Sequence, residues 1–514
     1  MDLLASLPVL SIIIFLPAVG ALVIIFAAGK DDDDFVRWLA LGFSLAVCVI
    51  SLYLPLTFDY NNPDLQWVER AVWSERLGIG YFLGVDGISL LLVLLTTFTA
   101  VVCVLASWAD IRFKLRGYMA MLLLTETFSL GVFMAVDMFL FYVFWEAVLI
   151  PMVFIIGIWG GNRRLYSAIK FFLFTFLGSL FMLLGVIALY FYHGKATGVY
   201  TFDSTVLLNY ALPADAQFWI FIAFFLGFAV KVPLFPLHTW LPDAHTEAPT
   251  AGSIVLAAVL LKLGTYGFLR FSLPLLPDAS ATLAPVMTAV SIFAVIYGAL
   301  VTLAQKDMKK VVAYSSVSHM GFVMLGIFAL NAEGLKGGVL QMINHGISTG
   351  ALFLFVGMIY ERTHDRVIGS YSGLLKIMPF YGVCFLITVL SSMGLPVTNG
   401  FIGELFILIG AFKAYYLYAV FAVVGVLLGA VYLLWMYQRV FLGEFSYSGH
   451  EPLKDLCVRE KLTALAFVIL IFWIGLYPAP FLRVMDASLN KLVKTVEHKT
   501  SVSKGGSVSA VMIR

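Results

Sequence analysis

Apolar runs of about twenty residues recur along the whole chain, and no other feature limits its fold as strongly. A helix rises about 1.5 Å per residue, so a bilayer core of about 30 Å takes roughly 20 such residues. Fourteen runs meet that length: 8–28, 36–56, 84–107, 117–136, 138–160, 168–192, 216–236, 250–271, 283–304, 311–331, 337–360, 378–411, 415–442 and 461–483. Hydrophobic residues make up 61% of the chain and charged ones 12%, whereas an ordinary globular chain is about 25% charged. Water cannot solvate that much apolar surface. The sequence therefore predicts an all-α, polytopic membrane protein. Its first run lacks the basic flank and small-residue cleavage site of a signal peptide, so it reads as a span. The longest loops cover 57–83 and 193–215, and a polar tail covers 484–514. The Asp31–Asp34 run reads as a solvated loop tip.

Several function classes drop out. With 32 basic and 30 acidic residues the net charge is +2, too balanced for a nucleic-acid surface. Cys48, Cys103 and Cys384 stand singly in apolar runs, and Cys457 stands in a polar loop. None forms a CxxC pair, so neither iron–sulfur ligation nor a disulfide framework is expected. Gly78-Ile-Gly80, with the next glycine at 84, has the wrong spacing for a dinucleotide loop. The chain is expected to hold no redox cofactor, nucleotide or metal.

Lys and Arg counts set an orientation. With the N-terminus outside, the inside loops carry eighteen of them and the outside loops six. Arg483, Lys491, Lys494, Lys499, Lys504 and Arg514 of the tail run against this bias. The two basic residues left over, Lys231 and Lys262, sit inside apolar runs.

Those lysines belong with two carboxylates, Glu146 and Glu404. A charge at a helix centre costs roughly 2.5–3.5 kcal/mol on insertion scales. Four unpaired ones would cost of order 10–14 kcal/mol, the whole stability of a domain. They must face protein or water and find partners, the pattern of an ion or proton pathway. The plainer alternatives are a polar clamp between helices for Glu146 and a snorkelling side chain for Lys231. Pro233 and Pro236 follow Lys231 and break its helix. A broken membrane helix is tolerated where it lines a cavity or is buried in protein. Burial there favours a neutral lysine and a nearby carboxylate favours a charged one, so the group can gain and lose a proton. Lys262 lies near mid-span. Glu404 follows Gly394, Pro396 and Gly400, which mark a second break. Five spans separate the two breaks, which suggests two five-helix repeats in inverted topology. The expected division is an N-terminal three-helix segment at 1–110, repeats at 111–272 and 273–445, and a last helix with its tail at 446–514. Secondary polar candidates are His319, His345 and Glu126, together with His245 in the segment His238–Glu247.

These residues stand in stretches that resemble a known family. Phe144-Trp-Glu-Ala-Val-Leu-Ile-Pro151, the run Ala229–Ser253 containing Lys-Val-Pro-Leu-Phe-Pro, Ala313-Tyr-Ser-Ser-Val-Ser-His319, Ile343-Asn-His-Gly346 and Leu395-Pro-Val-Thr-Asn-Gly-Phe-Ile-Gly-Glu404 are similar to the antiporter-like membrane subunits of respiratory complex I. Thr-Glu-Ala-Pro-Thr-Ala-Gly followed by Lys262, and the glutamate of the twelfth span, favour the M-type branch, subunit 4 in mitochondria. The resemblance covers nearly the whole chain and is weakest at 29–83 and after 484.

The resemblance implies fourteen spans, with spans 4–8 and 9–13 as inverted repeats and spans 7 and 12 broken. It implies that Glu146 pairs with Lys231, that Lys262 lies on the central axis, that Glu404 faces the exit half-channel, and that His319 and His345 bridge the halves. Val397 departs from the family, whose loop often has glycine after the proline. The implied activity is proton translocation in NADH–quinone oxidoreductase. NADH, FMN, iron–sulfur clusters and quinone would lie in other subunits, with none in this chain. Expected partners are the other membrane-arm subunits, chains L and N among them, and lipid. An energy-transducing membrane is expected, bacterial rather than mitochondrial given the length and polar tail. The alternative is a subunit of a stand-alone Na⁺/H⁺ antiporter. A scaffold whose charges only hold the membrane arm together is a third reading.

Overall fold

The computed structural model describes residues 7–27, 32–447 and 453–503. Its long helices follow the apolar runs. They are α1 (Val9–Ala27), α2 (Asp33–Thr57), α3 (Ser89–Asp110), α4 (Leu115–Met134), α5 (Met138–Trp159), α6 (Arg164–Thr197), α7 (Ala214–Lys231), α8 (Trp240–Glu247), α9 (Thr250–Leu275), α10 (Pro277–Leu303), α11 (Met308–Phe328), α12 (Ala332–Thr363), α13 (Pro379–Ser392), α14 (Asn399–Phe441), α15 (Val458–Leu476) and α16 (Ala479–Ser503). Among the described residues twelve helices are long and apolar enough to cross a membrane, or thirteen if α15 and α16, bent by 67° at their junction, count as one. The protein is a multi-pass membrane protein.

The fourteen predicted runs map onto fewer continuous helices for a physical reason. A straight helix of 43 residues, the length of α14, would run about 65 Å, twice a bilayer core of about 30 Å. It turns back at Tyr415, whose backbone is non-helical (φ −148°, ψ 78°). The first part runs from Glu404, level with His319, to Gly410, packed on Gly334 at the start of α12. The second returns from Gly425, against Phe322, to Tyr432, level again with His319. It thus covers the end of one predicted run, 378–411, and all but the last residue of another, 415–442.

The loop at 57–83 contains a β-hairpin, β1 (Gln66–Ser74) and β2 (Ile79–Val85), paired antiparallel with Ala71 opposite Tyr81. From β1, Glu69 accepts hydrogen bonds from the first free amides of α1, Leu10 N at 2.7 Å and Ser11 N at 3.1 Å. An anion suits the positive end of a helix. The acidic run near 31 serves the same purpose. Asp32 accepts from Phe35 N and caps α2, with Asp33 and Asp34 in its first turn, so these three are a helix start rather than a loop tip. Asp31, like Lys504 and Arg514, lies outside the described residues.

Burial separates the axis from the rim. The apolar cores of α9 and α12 are wholly buried and that of α11 is 94% buried, whereas α6 is only 39% buried and presents Leu173, Leu177 and Leu184 to the outside. Small residues bring the axis helices close. A Cβ on Gly264 of α9 would stand 2.6 Å from the Phe228 carbonyl of α7, so that contact needs glycine. Two π-helical stretches, Leu256–Leu260 and Phe268–Ser272, widen α9 on either side of Lys262.

The polar tail is largely helix. α16 lies across the hairpin side of the molecule, with Met485, Leu489, Leu492 and Val496 buried. Gly87 N donates to Ser488 Oγ, Lys336 pairs with Asp486 at 2.6 Å, and Lys499 Nζ donates to the carbonyls of Leu208 and Pro274.

Candidate functional site

The four intramembrane charges and their satellites fall into two groups. The first surrounds the break after α7. Pro233 and Pro236 offer no N–H, so carbonyls near the end of α7 need other partners; Val230 O accepts from Trp240 Nε1 of α8 at 2.8 Å. The buried Lys231 points at α5, donating to Trp145 O at 3.3 Å, with Nζ 4.1 Å from the centre of the Trp145 ring. A cation on a desolvated indole face is held by about 2 kcal/mol. Glu146 is the next residue along, yet no ion pair joins it to Lys231. Its polar neighbours are the hydroxyls of Ser179 and Tyr142, and its Oε1 has no hydrogen-bond partner. The two charges feel each other without touching.

The second group runs through the axis. Lys262 is wholly buried and donates to Ala257 O, a carbonyl of the π-helical stretch. Its Nζ lies 2.7 Å from His345 Nδ1. The rings of His345 and His319 are 5.8 Å apart between centroids. His319 Nδ1 lies 3.6 Å from Glu404 Oε1, and Tyr432 OH lies 3.5 Å from His319 Nε2. Glu404 accepts from Gln341 Nε2 at 3.2 Å, and Asn344 Nδ2 donates to Gln341 Oε1 and to Asn399 O, at the break before α14. Lys262, His345, His319 and Glu404 therefore form one file of titratable side chains across α9, α12, α11 and α14.

That second break is tight. Gly394 has φ +74°, and a Cβ there would lie 2.6 Å from Glu404 Oε2. Val397 has φ +83°, left-handed backbone that a β-branched residue adopts only under strain.

The other candidates lie beside the file. Glu126 is buried among Thr96, Thr99, Cys103 and Ser129, with neither oxygen partnered. His245 is wholly buried, stacks on Phe353 at 4.5 Å, and has no partner for either ring nitrogen. Sequence reasoning passed over Gln341, Asn344, Tyr432 and Trp145. The spacing Gln341-x-x-Asn344-His345 puts three polar residues of α12 on one helix face and was the available signal; Tyr432 and Trp145 carry none. Arg270, counted as an outside loop residue, instead lies within α9, in its second π-helical stretch, and makes a two-pronged bridge to Asp86 at 2.7 and 2.8 Å. Burial alone pushes the Asp86 carboxyl up, but the Arg270 charge and hydrogen bonds outweigh it and hold the group below its ordinary range.

The family described as NADH:quinone oxidoreductase/Mrp antiporter, TM, matches residues 135–429, which contain Glu146, Lys231, Lys262, His319, His345 and Glu404. NADH-quinone oxidoreductase subunit M of Rhodobacter capsulatus is 45% identical over 94% of this chain and 96% of its own length. The chain belongs to this family. NADH-ubiquinone oxidoreductase chain 4 of Marchantia polymorpha is 43% identical, covering 94% of this chain and 97% of its own length. Among solved structures, a chain of respiratory complex I from Thermus thermophilus superposes with a TM-score of 0.86 at 34% identity, over 95% of this chain and 99% of that one. These likenesses run nearly end to end, so both breaks and the file lie within a shared fold.

Proposed function

We propose that this chain is a proton-translocating membrane-arm subunit of NADH–quinone oxidoreductase. The observation that carries the reading is the buried file from Lys262 through His345 and His319 to Glu404. Proton transfer needs titratable groups in sequence, and a charged lysine cannot ligate Na⁺, so protons suit this file better than sodium. The two five-helix units, inverted about the Lys231 and Glu404 breaks within fourteen spans, are part of the same reading.

Quinone chemistry in other subunits drives the step, and NADH, FMN, iron–sulfur clusters and quinone belong there. A change in the separation of Glu146 and Lys231 changes the proton affinity of Lys231. An opposite charge brought within 4–6 Å alters such an affinity by roughly 1.4–4 kcal/mol. A proton climbs about 2.3 kcal/mol per 100 mV, so the effect is large enough to matter. The proton passes to Lys262 and along the histidines to Glu404, leaving on the hairpin side, which the Lys and Arg count makes the outside. Glu126 and His245 are side stations. Chains of the L and N type flank the subunit, and lipid covers rims such as α6. In this reading the energy-transducing membrane is bacterial rather than mitochondrial.

Lys231→Ala tests this in sodium-free inverted vesicles, with assembly of the complex checked first. NADH-driven quinone reduction and vesicle acidification are recorded together. Loss of both in an assembled complex is the expected result. Normal values for both would make the lysine structural and sink the mechanism.

A further inference from the structure

The basic residues of the tail run against the orientation bias, and the proton route uses none of them. Lys491, Lys494 and Lys499 fall on one face of α16, whose other face buries Leu489, Leu492 and Val496. Like charges stacked on one helix face repel one another, so the face gains from an anion. Together with Asn61, Asn490 and His498, these lysines line a hollow of about 700 Å³ between α16 and the loop that follows α2. That volume takes a phosphate-bearing headgroup. Among the described residues no carboxylate lines it.

The positive charge in this hollow is poorly met. The Lys494 ammonium makes no hydrogen bond or ion pair among the described residues. Lys499 Nζ donates to two carbonyls, Leu208 O at 2.7 Å and Pro274 O at 2.9 Å, and to no carboxylate. Lys491 pairs with Asp64, but both side chains are more than half exposed, and such pairs are weak. Glu497, on the same stretch of helix, lies outside the lining. A second cavity, of about 520 Å³, shares Lys491 and Lys499 and reaches inward to Arg70 and Arg270. Those two already hold Asp203 and Asp86, so the unmet charge is in the outer hollow.

Its place points to lipid. Trp473 and Tyr477, exposed at the end of α15, are of the types that settle at the membrane–water boundary. There α16 turns away by 67°, as an amphipathic helix laid along that boundary does. Beside the hollow, Leu45, Val49, Leu52 and Leu56 repeat at helical spacing on the outside of α2. Leu56, 84% exposed, comes just before the loop that carries Asn61. An acyl chain laid on that stripe would bring its headgroup to the lysines.

We propose that this hollow binds the phosphate headgroup of an anionic phospholipid in the leaflet on the hairpin side, with an acyl chain against α2. The lysines supply charge and donors to the phosphate oxygens, and Asn61 and Asn490 add amide donors. The site is distinct from the general lipid cover of rims such as α6, and it does not depend on the proton route. It gives the tail's lysines a reason to lie on the face where the loops are poor in positive charge.

The test uses the assembled complex in nanodiscs, with a photo-crosslinking amino acid in place of Asn490. The discs are phosphatidylcholine, alone or with a minor share of phosphatidylglycerol, and adducts on this chain are identified by mass spectrometry. Phosphatidylglycerol adducts well above that lipid's share of the disc are expected. Lys494→Gln should lower them about fivefold, the effect of removing one lysine beside an anionic lipid surface, and Lys494→Arg should keep them. Adducts in proportion to disc composition, or unchanged by Lys494→Gln, overturn the proposal. So does their loss to inorganic phosphate at matched ionic strength, which would make the hollow a free-phosphate site. A crosslink to a neighbouring chain in place of lipid overturns it as well, and would make the hollow a subunit contact. If the Asn490 variant does not assemble, the same crosslinker in place of Asn61, on the opposite wall, reads the same hollow.

Discussion

The two helix breaks look alike in sequence and differ in what they hold. At the first, Lys231 rests on one carbonyl and one indole ring, and its carboxylate neighbour Glu146 stands apart. At the second, Glu404 is joined to Gln341 and His319, and through Gln341 to Asn344 and Asn399. The difference teaches that a break supplies only free backbone and space. A sparse surround leaves a charge able to change partners, whereas a dense one fixes it. In the proposed route the first break responds and the second conducts.

Lys262→Ala should have the largest effect, because in the proposed route the proton from the first break enters the file at this residue. We expect pumping to fall by about 10²–10⁴-fold, read as acidification per NADH oxidised; a smaller fall would mean that the breaks work independently. Next comes Asp86→Ala, which leaves Arg270 uncompensated within α9 and should destabilise the protein by roughly 3–5 kcal/mol, measured by thermal unfolding in detergent. Because the Asp86 carboxyl is held low, its contribution is complete above about pH 4, the ordinary unfolded value. It is lost only as pH falls through the lower folded value. Melting that became less stable on raising the pH from 5 to 8 through this pair would contradict that sign.

Tyr432→Phe removes one long contact to His319 in the dense network, which is worth about 0.5–1.5 kcal/mol, up to roughly tenfold in pumping rate. Tyr142→Phe, beside Glu146, is the matching change in the sparse one. If both give equal losses, the contrast between the breaks is not functional. The smallest effect is expected at Val397→Gly. Relief of left-handed strain, about 1–3 kcal/mol, is offset by about 0.5–1 kcal/mol of added chain entropy, so melting should rise slightly with pumping unchanged.

What was legible followed from what is costly in lipid. Lys231, Lys262 and Glu404 stood out because charge in an apolar run demands an explanation, and the prolines and glycines beside them announced the breaks. Neutral partners were silent. Gln341, Asn344 and Tyr432 are ordinary in membrane helices, and only packing turns them towards Glu404. Arg270 and Lys309 lie near helix ends, where a sequence cannot tell a solvated charge from a buried one. The reversal at Tyr415 lies in Phe412-Lys-Ala-Tyr415, which has no glycine or proline to signal a turn. The helix at 479–503 hid behind its polar composition, although its buried residues at 485, 489, 492 and 496 repeat at helical spacing.

That last helix has a mechanical meaning. It spans the hairpin side and is fastened at Gly87, Lys336, Leu208 and Pro274, points belonging to the hairpin loop, α12, the α6–α7 loop and the end of α9. It works as a hasp. Removing it would untie those four points from one another and leave the opposite face as it is.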